Sequence, residues 1–379
     1  MTAPLTTTKR INSIDILRGI VMVVMALDHV RDFFSDFNFD PTDLQHASSI
    51  MFFTRWITHF CAPVFIFLSG TSAFLSLGKI ASKKEAAWRL FTRGVWLIVL
   101  EVTFVRLGWS FDINYHMVFL QVIWAIGCSM VVLSALIFLP WEWILGIGLI
   151  MIFGHNALDN VHPAVMTTFW DVLHVQGPIT YGHGNTIMIM YPLVPWIGVM
   201  AVGYCFGKIF QLPEHLKNKS LYNIGVSCIV WFVILRAINV YGDMSPWHTQ
   251  VTWWRTVLSF INCTKYPPSL LYLLMTLGPA IALLPILGKM SGAAGNIFRV
   301  YGRVPLFYYV LHLYLVHGMA ILAGYLFKGN AGVSVFAHPG YPLPWVYGFW
   351  LLAVVILYFP CRWFMYIKQN HRKWWLSYL

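Results

Sequence analysis

The segment Asp28-His29-Val30-Arg31-Asp32, at the end of the first apolar stretch, combines an imidazole with two carboxylates and a guanidinium. Residues three apart are neighbours on a helix, so His29 is expected beside Asp32 and Asp28 beside Arg31. A carboxylate fixes the tautomer of an adjacent imidazole and raises its basicity, which suits a general base near neutral pH. The spacing predicts a catalytic group of His29, Asp32 and Asp28. An ion pair that only ends the helix is the alternative.

Other histidines lie where a membrane helix would hold them away from water. His312 falls about eight residues into an apolar segment, roughly 12 Å deep at 1.5 Å per residue, and is predicted to be catalytic. His59 enters a second apolar segment, where an interfacial anchor is the alternative role. His155 and Asp159 share a helix face at i,i+4. The sequence has no HExxH motif and no closely spaced His/Cys ligand set, so no metal is expected.

Basic residues gather at the opposite ends of the apolar segments. Asp15 and Arg18 are an i,i+3 pair. Arg and Lys bind phosphate well, so part of this basic set is predicted to hold a phosphorylated cytoplasmic donor. The predicted donor-binding residues are Arg18, Lys83, Lys84, Arg89 and Arg303. The alternative is that they only orient the helices. The sequence contains neither a P-loop nor GxGxxG, which excludes an ordinary nucleotide-binding fold.

The elements that position these groups follow from composition. Of 379 residues, 59% are hydrophobic and 10% charged, against about 25% charged in soluble domains. Together with a mean hydropathy of +0.68, this excludes a soluble enzyme, a disordered chain and a coiled coil. The predicted fold is an all-α polytopic transmembrane bundle, a single domain over residues 1–379. About ten spans are predicted: Ser13–Phe34, Ile57–Leu77, Trp88–Trp109, Met117–Leu139, Trp143–His155, Ile187–Gly207, Leu221–Tyr241, Ser269–Leu287, Pro305–Phe327 and Trp345–Ile367.

The distribution of basic residues predicts the orientation. With both termini in the cytoplasm, 18 of the 25 Lys and Arg residues fall on the cytoplasmic side and seven on the outer side. This excess agrees with the positive-inside rule. The net charge of +11 is therefore interpreted as a topology signal rather than as a nucleic-acid-binding surface.

Several long motifs resemble the bacterial relatives of heparan-α-glucosaminide N-acetyltransferase, from the first predicted span to the ninth. The motifs are Ser13-Ile14-Asp15-Ile16-Leu17-Arg18-Gly19-Ile20, Leu27-Asp28-His29-Val30-Arg31-Asp32-Phe33-Phe34, Thr54-Arg55-Trp56-Ile57-Thr58-His59-Phe60-Cys61-Ala62-Pro63, Gly154-His155-Asn156, Tyr191-Pro192-Leu193-Val194-Pro195-Trp196, Thr264-Lys265-Tyr266-Pro267-Pro268-Ser269-Leu270 and Tyr309-Val310-Leu311-His312. The resemblance implies an enzyme of the inner membrane of a bacterium that moves acetyl from cytoplasmic acetyl-CoA to an amine or hydroxyl of an extracytoplasmic glycan or amino sugar. A homodimer is compatible with it.

The resemblance leaves the identity of the base open. The animal enzyme has Asn where His29 stands, and its active histidine lies in a His-Ala-Ser stretch that His46-Ala47-Ser48 matches in letters. The base is thus His29, His46 or His59, with His29 favoured. The predicted substrate-binding residues are Arg31, Arg55, His59, Lys265 and His155. The rival function is a proton-coupled membrane transporter that uses buried Asp/His pairs, although the sequence shows no inverted repeat.

Overall fold

The computed structural model describes residues 11–35, 39–78, 80, 82–161, 163, 165, 167–182, 184–329, 340–371 and 373–378. The described chain is mostly helical. The first half contains α1 (Asn12–Phe34), α2 (Ser49–Thr58), α3 (Cys61–Leu77), α4 (Lys83–Leu100), α5 (Arg106–Ser110), β1 (Met117–Leu120), α6 (Val122–Leu136), α7 (Trp141–Gly154), α8 (Thr167–His174), β2 (Gly177–Tyr181) and β3 (Asn185–Ile189). The second half contains α9 (Leu193–Phe206), α10 (Glu214–Ile238), α11 (Trp253–Ile261), α12 (Leu270–Gly288), α13 (Gly292–Arg303), α14 (Pro305–Lys328) and α15 (Leu343–Asn370).

In the part of the chain that the structure describes, seven helical segments are long and apolar enough to cross a membrane. They are Ser49–Leu77, Trp141–Leu158, Leu193–Gln211, Glu214–Ile238, Leu270–Gly288, Pro305–Lys328 and Leu343–Asn370. The other three predicted spans fall on α1, on α4 with α5, and on α6. Charged residues near both ends leave α1 apolar only in its middle, and α6 is short. Seven helical segments are therefore candidate membrane spans, while ten spans and the orientation of the termini remain predictions.

The all-α prediction misses one small element, a three-stranded sheet in the order β1-β3-β2. Strand β3 pairs parallel with β1 and antiparallel with β2. The predicted spans Met117–Leu139 and Ile187–Gly207 both begin inside strands, so these two boundaries are wrong. Their apolar β-branched and aromatic residues suit strands as well as membrane helices.

Helix α1 lies at the centre of the bundle, against α2, α3, α12, α13, α14 and α15. It packs backbone to backbone on α13. A Cβ added at Gly302 would lie 1.8 Å from the carbonyl oxygen of Asp15, and one added at Gly19 would lie 1.8 Å from that of Phe298. Small residues allow helices in membranes to approach this closely. The contact fixes Arg303, the residue after Gly302, beside the start of α1.

A π-helical turn, Glu101–Val105, joins α4 to α5. The fully buried Glu101 carboxylate accepts hydrogen bonds from the backbone N–H of Gln121 (3.2 Å) and of Trp124 (3.1 Å). Those groups are among the donors that the start of α6 leaves without intrahelical partners. This buried carboxylate is therefore bound within the fold, as a cap for α6.

Candidate functional site

Two histidines meet in the middle of the protein. His29 Nδ1 on α1 and His312 Nε2 on α14 lie 2.6 Å apart, although 283 positions separate the residues. The rings are nearly parallel, with centroids 4.8 Å apart. His312 is fully buried, and His29 is half-buried. The structure thus brings together two of the predicted catalytic residues.

The backbone determines which nitrogen carries each proton in this pair. His312 Nδ1 lies 3.2 Å from the carbonyl oxygen of Tyr308, which can only accept a hydrogen bond. In the neutral form, His312 therefore carries its proton on Nδ1 and presents Nε2 as an acceptor. His29 must then donate from Nδ1. Neutral His29 keeps an unprotonated Nε2, the form that a general base needs.

Two aromatic residues frame His29. The ring of Trp109 meets it edge-on, with centroids 4.9 Å apart, and Tyr309 does so at 6.3 Å. Tyr309 also lies 5.4 Å from the ring of His312. Sequence reasoning assigned no role to either aromatic residue. Tyr309 precedes His312 by three residues in the same motif, and this i,i+3 spacing could have indicated that the two side chains are in contact.

The predicted pairing of Asp32 with His29 is wrong in this structure. Asp32 Oδ1 accepts a hydrogen bond from Arg31 Nη2 at 2.6 Å, and Nδ1 of His29 is bonded to His312. Helix spacing favoured His29 as the partner of Asp32, but the long side chain of Arg31 reaches the carboxylate from the adjacent position and offers the stronger, charge-assisted bond. His312 therefore orients His29, a contact between helices that spacing along one helix could not indicate.

Asp28 is the centre of a compact charged cluster at the end of α1. Arg31 Nη2 lies 2.7 Å from one carboxylate oxygen, and Arg55 Nη1 lies 2.5 Å from the other. Lys265 Nζ lies 4.0 Å from that second oxygen. The side chains of these four residues are at most 16% exposed. The structure therefore brings together four predicted site residues, next in sequence to His29.

Asp243 holds the loop that carries Lys265. Its carboxylate accepts hydrogen bonds from the N–H (2.9 Å) and hydroxyl (2.7 Å) of Thr264 and from the hydroxyl of Ser269 (2.7 Å). Arg236, which is 1% exposed, donates to four backbone carbonyls: two in the last turn of α11, one before that helix and one just after it. These hydrogen bonds hold the loop in place, so the position of Lys265 is more constrained than that of a lysine on the protein surface.

A cavity of about 620 Å³ runs beside α1, from Ile11 to Met22 along that helix. Arg18 and Arg303 line it together with Asp15, which lies 3.9 Å from Arg18 Nη1 and 3.3 Å from Arg303 Nε. Tyr309, which packs against both histidines, is also a lining residue. Cations therefore border one part of the cavity, and a neighbour of the histidine pair borders another.

Three of the five predicted donor-binding residues lie elsewhere. Among the described residues that line the cavity, none is Lys83, Lys84 or Arg89. All three are exposed on the first turns of α4, and Arg89 pairs with Glu85 at 2.7 Å. The number and position of basic residues in the sequence do not show which of them line the cavity. The lining instead includes Arg93 and Lys368, which the sequence analysis left out.

The remaining predicted residues lie in different surroundings. His46 follows the turn that begins at Asp40, and its side chain is 60% exposed. His59 ends α2, is 3% exposed, and accepts a hydrogen bond from Tyr272 Oη at its carbonyl (2.7 Å). His155 lies in a short turn after α7, near Asp159 and His174. That group of three was not expected from spacing, because its last member lies on another helix.

Comparison with known proteins identifies the family. A model described as "Heparan-alpha-glucosaminide N-acetyltransferase, catalytic" matches residues 10–234, more than half of the chain. The protein belongs to the heparan-alpha-glucosaminide N-acetyltransferase family. No curated protein gives a significant match. The matched region includes Arg18, His29 and Arg55, whereas His312, Lys265 and Arg303 lie beyond it, and the structure joins the two sets. A family of acetyltransferases implies an acyl donor and a glycan acceptor in general terms.

Proposed function

We propose that this protein transfers an acetyl group from cytoplasmic acetyl-CoA to an amine or hydroxyl of an extracytoplasmic glycan or amino sugar. The observation that carries the proposal is the cavity that Arg18, Arg303 and Tyr309 line together, with Tyr309 in contact with the histidine pair. Its size of about 620 Å³ falls within the range of small-molecule sites, roughly 300–1,000 Å³. Family membership supports the acetyl-transfer chemistry.

The donor binds at the cationic part of the cavity. Guanidinium groups recognise phosphate oxygens with paired hydrogen bonds, so Arg18 and Arg303 receive the phosphates of the coenzyme. The pantetheine arm extends along α1, and the acetyl thioester comes to rest near Tyr309. From Met22, the last α1 residue in the cavity wall, His29 is seven residues on, or roughly 10 Å along the helix.

The reaction itself needs one base. Nε2 of His29 takes the proton from the acceptor amine or hydroxyl as its nitrogen or oxygen attacks the thioester carbonyl carbon. The carbon–sulfur bond then breaks, and the thiolate of coenzyme A leaves with the proton that His29 took from the acceptor, which restores the free base. His312 holds His29 in the required tautomer through the bond at Nδ1. Lys265, Arg31 and Arg55 position the acceptor near the end of α1.

The orientation follows from the same scheme. The Arg18–Arg303 end faces the cytoplasm, where acetyl-CoA is made, and the Asp28 end faces outward. Both termini lie in the cytoplasm if all ten helical segments span the membrane. A bacterial inner membrane and a homodimer are compatible with this arrangement.

The experiment measures transfer of labelled acetyl from acetyl-CoA by purified protein in proteoliposomes. Glucosamine offers an amine and N-acetylglucosamine only hydroxyls, so the pair separates N- from O-acetylation. His29→Gln is expected to lower the rate by about 10²–10⁴-fold, the usual contribution of a general base. His215→Gln, at an exposed position on α10, is the matched control. An undiminished rate in His29→Gln contradicts the mechanism, and uptake of sugar without any acyl donor indicates the transporter instead.

A further inference from the structure

A second group of ionisable side chains lies apart from the cavity, where α7 ends. His155 and Asp159 belong to the turn that follows α7, and His174 is the last residue of α8. One ligand atom from each of the three residues lies within 4.8 Å of the others. His155 is 1% and His174 2% exposed, and the Asp159 side chain is 9% exposed. Three metal-ligating groups therefore converge in a buried position.

These groups have few partners among the described residues. No ring nitrogen of His155 or His174 makes a hydrogen bond of acceptable geometry, and neither does Asp159 Oδ1, among the residues that the structure describes. His174 Nε2 lies 3.2 Å from Asp159 Oδ1, and the Pro268 carbonyl interacts with His155. Buried polar atoms in native proteins nearly always have a partner, so several unpaired atoms at one point indicate a missing ligand.

The surroundings hold the free atoms in place. Asn156 Nδ2 donates to the other oxygen of Asp159, Oδ2, at 2.9 Å, while Asn156 Oδ1 accepts from the N–H of Leu270 at 2.9 Å. Asp159 is thereby tied to the start of α12 and keeps Oδ1 directed at His174. The ring of Trp170 covers His174, with centroids 5.1 Å apart. Outer contacts that fix a carboxylate ligand in this way are typical of metal sites.

We infer that His155, Asp159 and His174 bind a zinc ion. Two imidazoles with one carboxylate form a recurrent zinc ligand set, and three protein ligands leave a fourth position open for water or substrate. Two ligands on one tetrahedral zinc ion lie roughly 3.4 Å apart, since each bond is about 2.1 Å long. His174 Nε2 and Asp159 Oδ1 are already 3.2 Å apart. A pair at the 4.8 Å limit of this group would close with a shift of roughly 0.7 Å by each side chain. The ion would join α8 to the end of α7.

The test uses full-length protein with an affinity tag that contains no histidine. The protein is stripped with EDTA, desalted, and titrated with Zn²⁺ or with Co²⁺, whose visible absorption bands report tetrahedral nitrogen and oxygen ligands. The expected result is one zinc per chain by elemental analysis, cobalt bands, and a rise in Tm on zinc addition, since a ligand that binds only the folded state stabilises it. Absence of stoichiometric binding at micromolar Zn²⁺ overturns the inference.

Variants locate the site. His155→Gln and His174→Gln are expected to weaken zinc binding at least tenfold and to abolish the cobalt bands. Asp159→Asn keeps the shape of the side chain and removes its charge, so it gives an independent reading if a histidine variant misfolds. His116→Gln, at an exposed position next to β1, is the control and should bind as the wild type does. Full binding in both histidine variants overturns the assignment. Every readout is independent of acetyl transfer, so this inference can fail without affecting the proposed function.

Discussion

The two ends of α1 carry the same sequence pattern in two different environments. At each end an aspartate precedes an arginine by three residues, Asp15 with Arg18 and Asp28 with Arg31. At the first end the contact between Asp15 and Arg18 is loose, 3.9 Å, and the pair borders the cavity. At the second end the contact is 2.7 Å, and Arg55 completes a closed cluster around the carboxylate. The same short helical motif therefore has a different role at each end. The role depends on whether the arginine borders a cavity that a ligand can occupy.

The largest difference between the two ends should appear on removal of the aspartate. Asp28→Ala leaves Arg31, Arg55 and Lys265 close together without the carboxylate that they share. Breaking a buried ion pair from one side typically costs about 3–5 kcal/mol. We expect a strongly lowered Tm or no monodisperse protein in detergent, measured by thermal unfolding and gel filtration.

Asp15→Ala is the matched variant at the open end. Its partners Arg18 and Arg303 border the cavity, where water can solvate them, so the loss of Tm should be clearly smaller. Equal losses in the two variants would show that the ends of α1 do not differ in the way described.

The second difference concerns donor binding. Arg303→Gln removes a cation from the cavity wall, and a hydrogen bond to a charged group contributes about 1.5–3 kcal/mol. We expect the KM for acetyl-CoA to rise roughly tenfold or more, since 1.4 kcal/mol corresponds to a factor of ten. The kcat should change little, because the reacting atoms lie at the other end of the cavity.

Arg89→Gln is the control for this measurement. Arg89 was predicted from sequence to bind the donor, but it lies exposed on α4 beside Glu85. Its KM should equal that of the wild type. A rise in KM for Arg89→Gln but not for Arg303→Gln would move the donor site from the cavity to the surface of α4.

The sequence predicted the features that depend on residues close together in one helix. Each of the ten apolar segments contains helix, although two of them begin in strands, because an apolar stretch can be recognised directly in the sequence. Seven helical segments are long and apolar enough to span a membrane, in the part of the chain that the structure describes. It also drew attention to His29, since charged groups inside apolar segments are costly and therefore informative. It could not find contacts between distant helices. His29 with His312, and His155 with His174, join residues on separate helices, so no spacing rule reports them. For the same reason Asp32 received the wrong partner.

The smallest expected effect distinguishes His46 from His29, two of the three histidines that the sequence analysis left as candidate bases. His46 Nδ1 lies 2.6 Å from Asp43 Oδ2, in a solvent-exposed turn. Hydrogen bonds from the His46 side chain and from the backbone N–H of Gln45 hold the pKa of the Asp43 carboxyl below its usual value of 3.8. This is the usual behaviour of a carboxylate that orders a surface loop.

His29, in contrast, is oriented by its hydrogen bond to a fully buried histidine and packs against an aromatic residue of the cavity wall. His46→Ala should therefore keep acetyl transfer within about twofold of the wild-type rate, against a loss of about 10²-fold or more in His29→Gln. A deep loss in His46→Ala with a normal Tm would place the base in the loop and leave the histidine pair with a structural role only.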